Sequence, residues 1–351
     1  MKRMLLGFCA LALMLGLLGL VKYPSVQAAD GFNIITSPLP IKLNTTPGKT
    51  VTTELRMKNL NPQNETIKMG LMKFGATGES GQPNLFDLTP KDIYANWVTF
   101  TPSQFVAEPN VWKTVKMTIK VPPEASLGYY LAVTFSRANQ PGDTAGQSSV
   151  KGSAATLVLL DVRGVDDKRS LNLLDFTVEK KLYEYVPVDF TVKLRNTGNI
   201  YLAPTGNIFI TKGGKPVTTI NFNDVGSSVL PASNRVYSVP WTSGFPKFKD
   251  KVVNGKPVYD KRAKPVQELT YDFSQVSKLR FGKYTAKLLV VYDDGKQDVP
   301  MESSVTFWVL PWKILLGAGV IILVLGFGTF VIFRTVLRKA KGIRKPTRNA
   351  K

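Results

Sequence analysis

Apolar and polar residues alternate in short runs through the middle of the chain, and this pattern constrains the fold more than any other sequence feature. Every second residue is apolar in residues 115–120 and 190–195, and residues 51–58 follow the same pattern with one threonine in the apolar series. Such alternation predicts strands that bury one face, as in antiparallel sheets. Turn signals such as Gly-Gly at 213–214 and Asp-Asp-Gly at 293–295 separate the runs. The sequence therefore predicts an all-β fold of tandem β-sandwiches.

The two halves of this middle region resemble each other loosely. Each has an alternating strand that ends in an asparagine-bearing turn, at Asn59 and at Asn196, and each later has Gly-x-Tyr at the start of an apolar strand. A duplicated sandwich would explain these repeats, and so would convergent turn chemistry. The polar run 163–170 predicts a boundary between a first sandwich in residues 29–164 and a second in residues 165–308.

Both termini carry long uncharged apolar runs. Residues 4–21 follow Lys2 and Arg3 and precede a Val-Gln-Ala sequence, which is typical of a signal peptide, here residues 1–28. An uncleaved anchor is the alternative. Residues 314–333 contain no charge and are long enough to cross a hydrocarbon layer of about 30 Å. We expect them to contact the lipid bilayer, within a transmembrane helix over residues 309–333, with Trp308 and Trp312 at the membrane interface.

The formal net charge is +21, and residues 334–351 hold eight basic residues and no acid. The positive-inside rule places this basic tail in the cytoplasm and the bulk of the chain outside the cell, in a single-pass topology. We expect Arg334, Arg338 and Lys339 at the membrane interface. Attraction to anionic lipid accounts for the tail, so no nucleic-acid partner is expected.

The chain has no histidine, and its one cysteine, Cys9, lies in the predicted signal peptide. These absences exclude His-dependent nucleophilic catalysis, a zinc site of the His/Cys type and an internal disulfide. Carboxylate pairs, Ser–Lys pairs and an all-oxygen metal site are the catalytic options that remain, but the acidic residues are scattered over turns and strand edges. We expect no enzyme activity, no metal site and no cofactor.

Two sets of residues are candidates for binding. A basic run at residues 247–264, called the basic insertion below, indicates an inserted hairpin that is either a solvated loop or a polyanion-binding finger. Its basic residues are Lys247, Lys249, Lys251, Lys256, Lys261, Arg262 and Lys264. Aromatic rings beside cations suit glycan stacking, so Trp97 and Trp112 form the second set. Trp97 is expected in a Trp-Val-Thr-Phe strand at 97–100, and burial in the core is the alternative for it, for Trp112 and for Trp241.

Several short motifs in the first sandwich carry a family resemblance. They are Pro-Gly-Lys at 47–49, Lys-Asn at 58–59, Trp-Val-Thr-Phe at 97–100, Val-Pro-Pro at 121–123 and Gly-Tyr-Tyr at 128–130. With the order of signal, two sandwiches, span and basic tail, the chain resembles the WxL-interacting proteins of Gram-positive bacterial surfaces. The resemblance implies immunoglobulin-like domains, peptidoglycan association for the first domain and host or partner binding for the second.

The second domain departs from that family in its Asn-Thr-Gly-Asn turn at 196–199 and in the basic insertion. The first sandwich is also similar to pilus-chaperone-like domains, which share the Pro-Gly-Lys strand start, although a permanent membrane anchor argues against a free periplasmic chaperone. The sequence thus predicts a membrane-anchored, non-enzymatic cell-surface protein that binds cell-wall polymer (peptidoglycan or teichoic acid) or a surface protein. The alternative is a scaffold or chaperone-like subunit of a cell-envelope complex, pairing through sheet edges.

Overall fold

The computed structural model describes residues 31–138, 153–260 and 265–342, with the backbone alone for residues 153 and 339–342. Strands dominate the described residues, and one long apolar helix follows them. The prediction of a mostly β chain with a C-terminal apolar helix is confirmed. Several predicted features lie outside the described residues. They are the signal peptide with Cys9, the basic residues Lys261, Arg262 and Lys264, and the side chain of Lys339.

Two sheets enclose a hydrophobic core in residues 34–162, which we call the first sandwich. The orders are β1-β3-β8-β6 in a four-stranded sheet and β2-β10-β9-β4-β5 in a six-stranded sheet, with β7 also paired to β4. The strands are β1 (Ile34–Ser37), β2 (Ile41–Thr45), β3 (Thr50–Asn59), β4 (Glu65–Ala76), β5 (Pro83–Phe86), β6 (Val98–Thr101), β7 (Gln104–Ala107), β8 (Trp112–Lys120), β9 (Leu127–Arg137) and β10 (Ser153–Val162). Alternate residues of β3 and β8 enter the core, including Leu55, Met57 and Met117.

A second core lies within residues 171–309, which we call the second sandwich. Its two main sheets have the orders β11-β13-β16 and β12-β22-β21-β14-β15. The pairs β17-β20 and β18-β19 form two separate two-stranded sheets. The strands are β11 (Leu171–Val178), β12 (Leu182–Tyr183), β13 (Val188–Asn196), β14 (Thr205–Lys212), β15 (Lys215–Phe222), β16 (Asn234–Trp241), β17 (Lys247–Asp250), β18 (Val252–Val253), β19 (Lys256–Pro257), β20 (Gln267–Thr270), β21 (Gly282–Asp293) and β22 (Asp298–Val309). The domain bounds at residues 164 and 165 stay a prediction.

The two sandwiches share a strand order. β2-β10-β9-β4-β5 matches β12-β22-β21-β14-β15, and in both series the first pair is parallel and the others are antiparallel. Asn59 and Asn196, both fully buried, end equivalent strands, β3 and β13. The two asparagine turns therefore occupy equivalent places in sandwiches of the same strand order.

The two asparagines make the same set of hydrogen bonds. Each side-chain oxygen accepts from the backbone N–H two residues later, and each amide donates to two carbonyls, one of them four residues later. All six bonds measure between 2.7 and 3.0 Å. The partners are Asn61 N, Gln63 O and Ala107 O for Asn59, and Gly198 N, Ile200 O and Val229 O for Asn196. Each asparagine therefore joins its turn to a distant segment of the same sandwich.

The C-terminal helix differs in its bounds from the predicted span. It is α1 (Trp312–Gly342), so residues 309–311 precede it and the first part of the predicted tail continues it. β22 extends to Val309, and Pro311 lies just before the helix, where its fixed φ and missing N–H are tolerated. The helix continues past residue 333 because no proline or glycine occurs between Gly328 and Gly342.

Candidate functional site

A cleft of about 370 Å³ lies between the two sandwiches. Its floor is the outer face of the six-stranded sheet, where Phe74 of β4 and Leu157 and Leu159 of β10 lie, and the second sandwich lines it with residues 225–230 and 233–235. Leu39 and Val225 also line the cleft but are 61% and 86% exposed, so they form its rim. The volume falls in the range of ligand-binding clefts, about 300–1,000 Å³.

The cleft floor exists because β10 is apolar on both faces. Val158 and Leu160 enter the core of the first sandwich, whereas Leu157 and Leu159 line the cleft. A strand with one solvated face alternates, whereas a strand covered on both faces is continuously apolar. The unbroken apolar run at residues 157–160 is thus a sequence signal for a covered outer face, and our sequence reasoning missed it.

The polar groups of the cleft centre on Arg235. Its Nη1 donates to the carbonyl of Ser228 at 2.7 Å, and its guanidinium lies 5.2 Å from the ring centroid of Tyr237. Gly81, with φ of +73°, makes room for the guanidinium, because a Cβ there would overlap it. Arg235 Nε and Ser228 Oγ are buried and make no hydrogen bond within the described part of the chain. Arg235 and Ser228 therefore lie beside the apolar floor of the cleft, although these two atoms are themselves buried.

Glu79 of the first sandwich forms hydrogen bonds with β13 and with the edge strand β16 of the second sandwich. Its carboxylate accepts from Lys193 Nζ at 2.7 Å and from Asn234 Nδ2 at 2.9 Å, and its carbonyl accepts from Val236 N at 2.8 Å. These side-chain hydrogen bonds hold the pKa of Glu79 below its usual range. Because Asn234 also lines the cleft, Glu79 fixes the position of one cleft wall.

A second contact between the sandwiches contains a buried ion pair. Arg169 Nη2 lies 2.8 Å from Asp161 Oδ2, and the two side chains are 11% and 3% exposed. Burial raises the pKa of Asp161, and the attraction of Arg169 opposes that rise. Close by, Tyr130 Oη of the first sandwich accepts from Tyr201 N of the second at 3.0 Å. This junction therefore combines a direct hydrogen bond between the sandwiches with a buried carboxylate, Asp161, whose charge is compensated by Arg169.

The basic insertion contains two hairpins. Lys247 and Lys249 lie on β17, which pairs with β20, while Lys251 follows β17 and Lys256 lies on β19. Lys247 is half-buried, and the other three are exposed. The structure therefore brings these four lysines into one small region of the second sandwich.

Trp97, Trp112 and Trp241 lie outside the basic insertion. Trp97 ends a 3-10 helix (Ile93–Trp97) and packs on Tyr94 and Tyr129, with ring centroids 6.3 and 4.8 Å away. The expected Trp-Val-Thr-Phe strand at 97–100 is thus wrong at its first residue, since this packing holds Trp97 in the helix, half-buried against the core. Trp112 begins β8 and is 46% exposed, and Trp241 is core. Trp97 and Trp112 thus belong to the first sandwich, and the described lysines of the basic insertion to the second.

The predicted membrane-interface residues lie near the two ends of α1. Trp308 and Trp312 are about half exposed, at 48% and 51%, and Arg334 and Arg338 are exposed on α1. The segment Trp312–Arg338 has 27 residues and is long and apolar enough to cross a membrane. At 1.5 Å per residue it measures about 40 Å, more than a hydrocarbon layer requires.

The Asp-Asp-Gly segment at residues 293–295 forms the turn between β21 and β22. Asp293 Oδ1 accepts from Gly295 N at 2.7 Å, and Asp294 Oδ1 accepts from the backbone N–H groups of Lys296 and Gln297 at 2.8 Å. These backbone hydrogen bonds lower the pKa of Asp294. Among the residues that the structure describes, no group of three or more Asp, Glu, His or Cys side chains is placed to hold a metal ion.

Comparison with known proteins gives only distant structural likeness. No protein-family model and no curated protein matches the chain. The class 5 fimbrial chaperone CfaA matches 77% of this chain and 99% of its own at 13% identity and a TM-score of 0.37. The CupB2 chaperone of Pseudomonas aeruginosa matches 78% of this chain and 100% of its own, at 9% identity and a TM-score of 0.31. A chain of the Salmonella enterica SafA pilin–SafB chaperone complex matches 79% of this chain and 99% of its own, at 12% identity and a TM-score of 0.33. Function does not follow from likeness at this level.

Proposed function

We propose that the chain is a membrane-anchored, non-enzymatic scaffold of the cell envelope that holds a segment of a protein partner in the cleft between its sandwiches. The cleft itself is the observation that carries this proposal. Its floor of Phe74, Leu157 and Leu159 suits apolar side chains, and the partly exposed, charged side chain of Arg235 lines the same cleft. An extended polypeptide offers both apolar side chains and carbonyl acceptors.

Arg235 gives the cleft a charged hydrogen-bond donor for a protein partner. A backbone carbonyl or a carboxylate of the partner would accept from the guanidinium, and hydrogen bonds with charged donors are stronger than neutral ones. The partner would then be held by apolar burial on the floor and by these hydrogen bonds, which fix its register.

The wall-polymer hypothesis has less support from the geometry. Glycan stacking needs an exposed aromatic face, and a neighbouring cation suits it. Trp97 is half-buried against the core and packs on Tyr94 and Tyr129, and no described lysine of the basic insertion lies over the ring of Trp97 or Trp112. Peptidoglycan and teichoic acid binding therefore stay predictions, and the scaffold alternative is the function we propose.

The proposed scaffold has its sandwiches outside the cell and its basic tail inside. When protease is added to intact cells stripped of their wall, we expect loss of both sandwiches and survival of a small membrane-protected fragment that includes α1 and the tail. Mass spectrometry of the fragment measures the result. If the sandwiches are degraded only after the membrane is permeabilised, the topology is the opposite of the one proposed.

A site-specific crosslink tests the cleft. A photo-crosslinking amino acid at position 225, on the cleft rim, should give a discrete product between the full chain and one protein in the native envelope. Adding Leu39→Asp, which places a carboxylate on the apolar rim, should lower the yield about tenfold because a charge would have to be desolvated on binding. The readout is the mass and yield of the crosslinked product.

Val165 provides the matched control, because it is 102% exposed and does not line the cleft. A crosslinker at position 165 should give no such product, and Val165→Asp should leave the yield at position 225 unchanged. Crosslinked products whose mass falls on muramidase digestion would instead identify peptidoglycan as the ligand. No product, or equal products at positions 165 and 225, would contradict the proposal.

A further inference from the structure

An exposed aromatic surface lies at the end of the second sandwich from which α1 emerges. Only Leu310 and Pro311 separate β22 from α1, and Gly282, the first residue of β21, pairs with Val309, the last of β22. A 3-10 helix (Phe273–Lys278) ends four residues before Gly282. Extended chain covers about 3.3 Å per residue, so Lys278 lies within roughly 15 Å of the strand end that leads into α1, and Phe245 N donates to the Lys278 carbonyl at 3.1 Å.

The basic insertion is attached at this same end. Tyr183 O accepts from Leu310 N at 2.8 Å, and Glu184 Oε2 pairs with Lys313 Nζ of α1 at 3.0 Å. Directly afterwards, Tyr185 packs on Phe248 of β17, with ring centroids 5.9 Å apart. One short stretch of chain therefore contacts both the start of α1 and the base of the insertion.

Large apolar side chains remain exposed here. Tyr271 and Phe273 stack on each other with centroids 6.3 Å apart, and both contact the buried Phe245. The exposed members of the segment, between 45% and 73% exposed, are Tyr271, Phe273, Val276, Leu279 and Phe281. Contiguous apolar groups of this kind mark interaction surfaces in soluble domains.

Lysines accompany these apolar groups. Lys278 is exposed within the 3-10 helix, and the charges of Lys247 and Lys249 on β17 help to lower the pKa of Asp272, after its hydrogen bonds with Ser274. The two β17 lysines thus lie near the aromatic segment. We call the five apolar residues together with Lys247, Lys249 and Lys278 the base surface.

We propose that the base surface rests on the lipid headgroup layer of the membrane that α1 crosses, with its aromatic side chains at the interface and its lysines on anionic lipid. Aromatic and basic side chains together are the composition of interfacial membrane contacts. The attachment of α1 keeps this surface close to a bilayer at all times. The inference goes beyond partner binding and does not depend on what occupies the cleft.

A fluorophore on Ser277→Cys, in a Cys9→Ser background, tests the proposal in the full chain. Ser277 is exposed between Val276 and Lys278, so the label leaves the apolar residues intact. In liposomes of phosphatidylglycerol and phosphatidylcholine, nitroxide lipids labelled near the headgroup should quench it strongly, because interfacial groups lie about 5–10 Å deep. The same label on Val165→Cys should be quenched little.

Charge variants separate the lysine contribution. Lys247→Gln with Lys249→Gln should lower the equilibrium constant for lipid contact roughly tenfold or more in anionic liposomes, since each lysine contributes about fivefold. The matched variant Lys116→Gln with Lys120→Gln, on exposed positions of β8, should have no effect. Phe273→Ser should weaken quenching in anionic and in zwitterionic liposomes alike, and unchanged unfolding midpoints would show that the variants fold.

Equal quenching at positions 277 and 165 in both kinds of liposome would overturn the proposal. Shielding of position 277 from aqueous iodide without quenching by nitroxide lipid would also overturn it, because protein, such as a second copy of the chain, would then cover the base surface. Because no partner is present in these liposomes, failure of this proposal and failure of the cleft proposal are distinguishable.

Discussion

Replacing Arg169 with glutamine should lower the free energy of unfolding by about 3 kcal/mol at neutral pH, because it leaves a buried carboxylate without its charge partner. Asp161 is 3% exposed, and its Oδ1 already has no hydrogen-bond partner among the described residues. Urea denaturation of the full chain in detergent, followed by tryptophan fluorescence, measures the loss.

The loss should depend on pH in a defined direction. Burial raises the pKa of Asp161 in the folded chain, so its contribution to stability is greatest below the unfolded pKa, near 3.9, and is lost as pH rises through the folded pKa. Without Arg169 the folded pKa rises further. The difference between variant and parent should therefore be large at pH 7.5 and shrink as the pH approaches 4.

Two matched variants complete this test. Arg163 Nε lies 3.9 Å from the same carboxylate, but its side chain is 56% exposed, so Arg163→Gln should cost less than about 1 kcal/mol. Adding Asp161→Asn to Arg169→Gln should recover part of the stability, since no unpaired charge remains. Equal losses for Arg163→Gln and Arg169→Gln would contradict the buried ion pair.

Replacing Asn196 with alanine should cost about 3 kcal/mol, and Asn59→Ala should cost a similar amount. Each change removes three hydrogen bonds of 2.7 to 3.0 Å around a fully buried side chain, and buried groups left unpaired cost about 1–3 kcal/mol each. Asn196→Asp should be at least as harmful, because a carboxylate cannot donate to Ile200 O and Val229 O. The same urea denaturation measures all three variants.

Asn221 serves as the control for these variants. Its side chain is exposed on β15, and its hydrogen bond to Asp224 Oδ2 is long, at 3.4 Å. Asn221→Ala should therefore change stability by less than about 0.5 kcal/mol. If Asn196→Ala costs no more than Asn221→Ala, the asparagine turns are not the structural supports that their geometry indicates.

The sequence predicts the strands well because the signal is local. In β13, Phe190, Val192 and Leu194 alternate with polar residues and enter the core. The equivalence of Asn59 and Asn196 is also visible in the sequence, because an asparagine at a strand end carries its own turn chemistry. Each of these predictions depends only on neighbouring residues.

The cleft is harder to predict because its residues come together only in the folded chain. Leu39, Leu159 and Arg235 belong to three distant segments, and nothing in the spacing of the sequence joins them. Trp97 shows a different difficulty. Its β-like neighbours predicted a strand, but contacts with Tyr94 and Tyr129 hold it at the end of a 3-10 helix. At Trp97, tertiary packing overrides the local preference for a strand.

The short connection between β22 and α1 has a mechanical consequence. If α1 spans a membrane, a pull on it reaches the second sandwich at Val309, the end of β22. That strand pairs with β21 along its whole length, from Asp298 to Val309, and with β12 at its end. A force component parallel to the strands loads all these backbone hydrogen bonds together and not one after another. On the proposed function, this connection would resist tension between an envelope partner and the membrane.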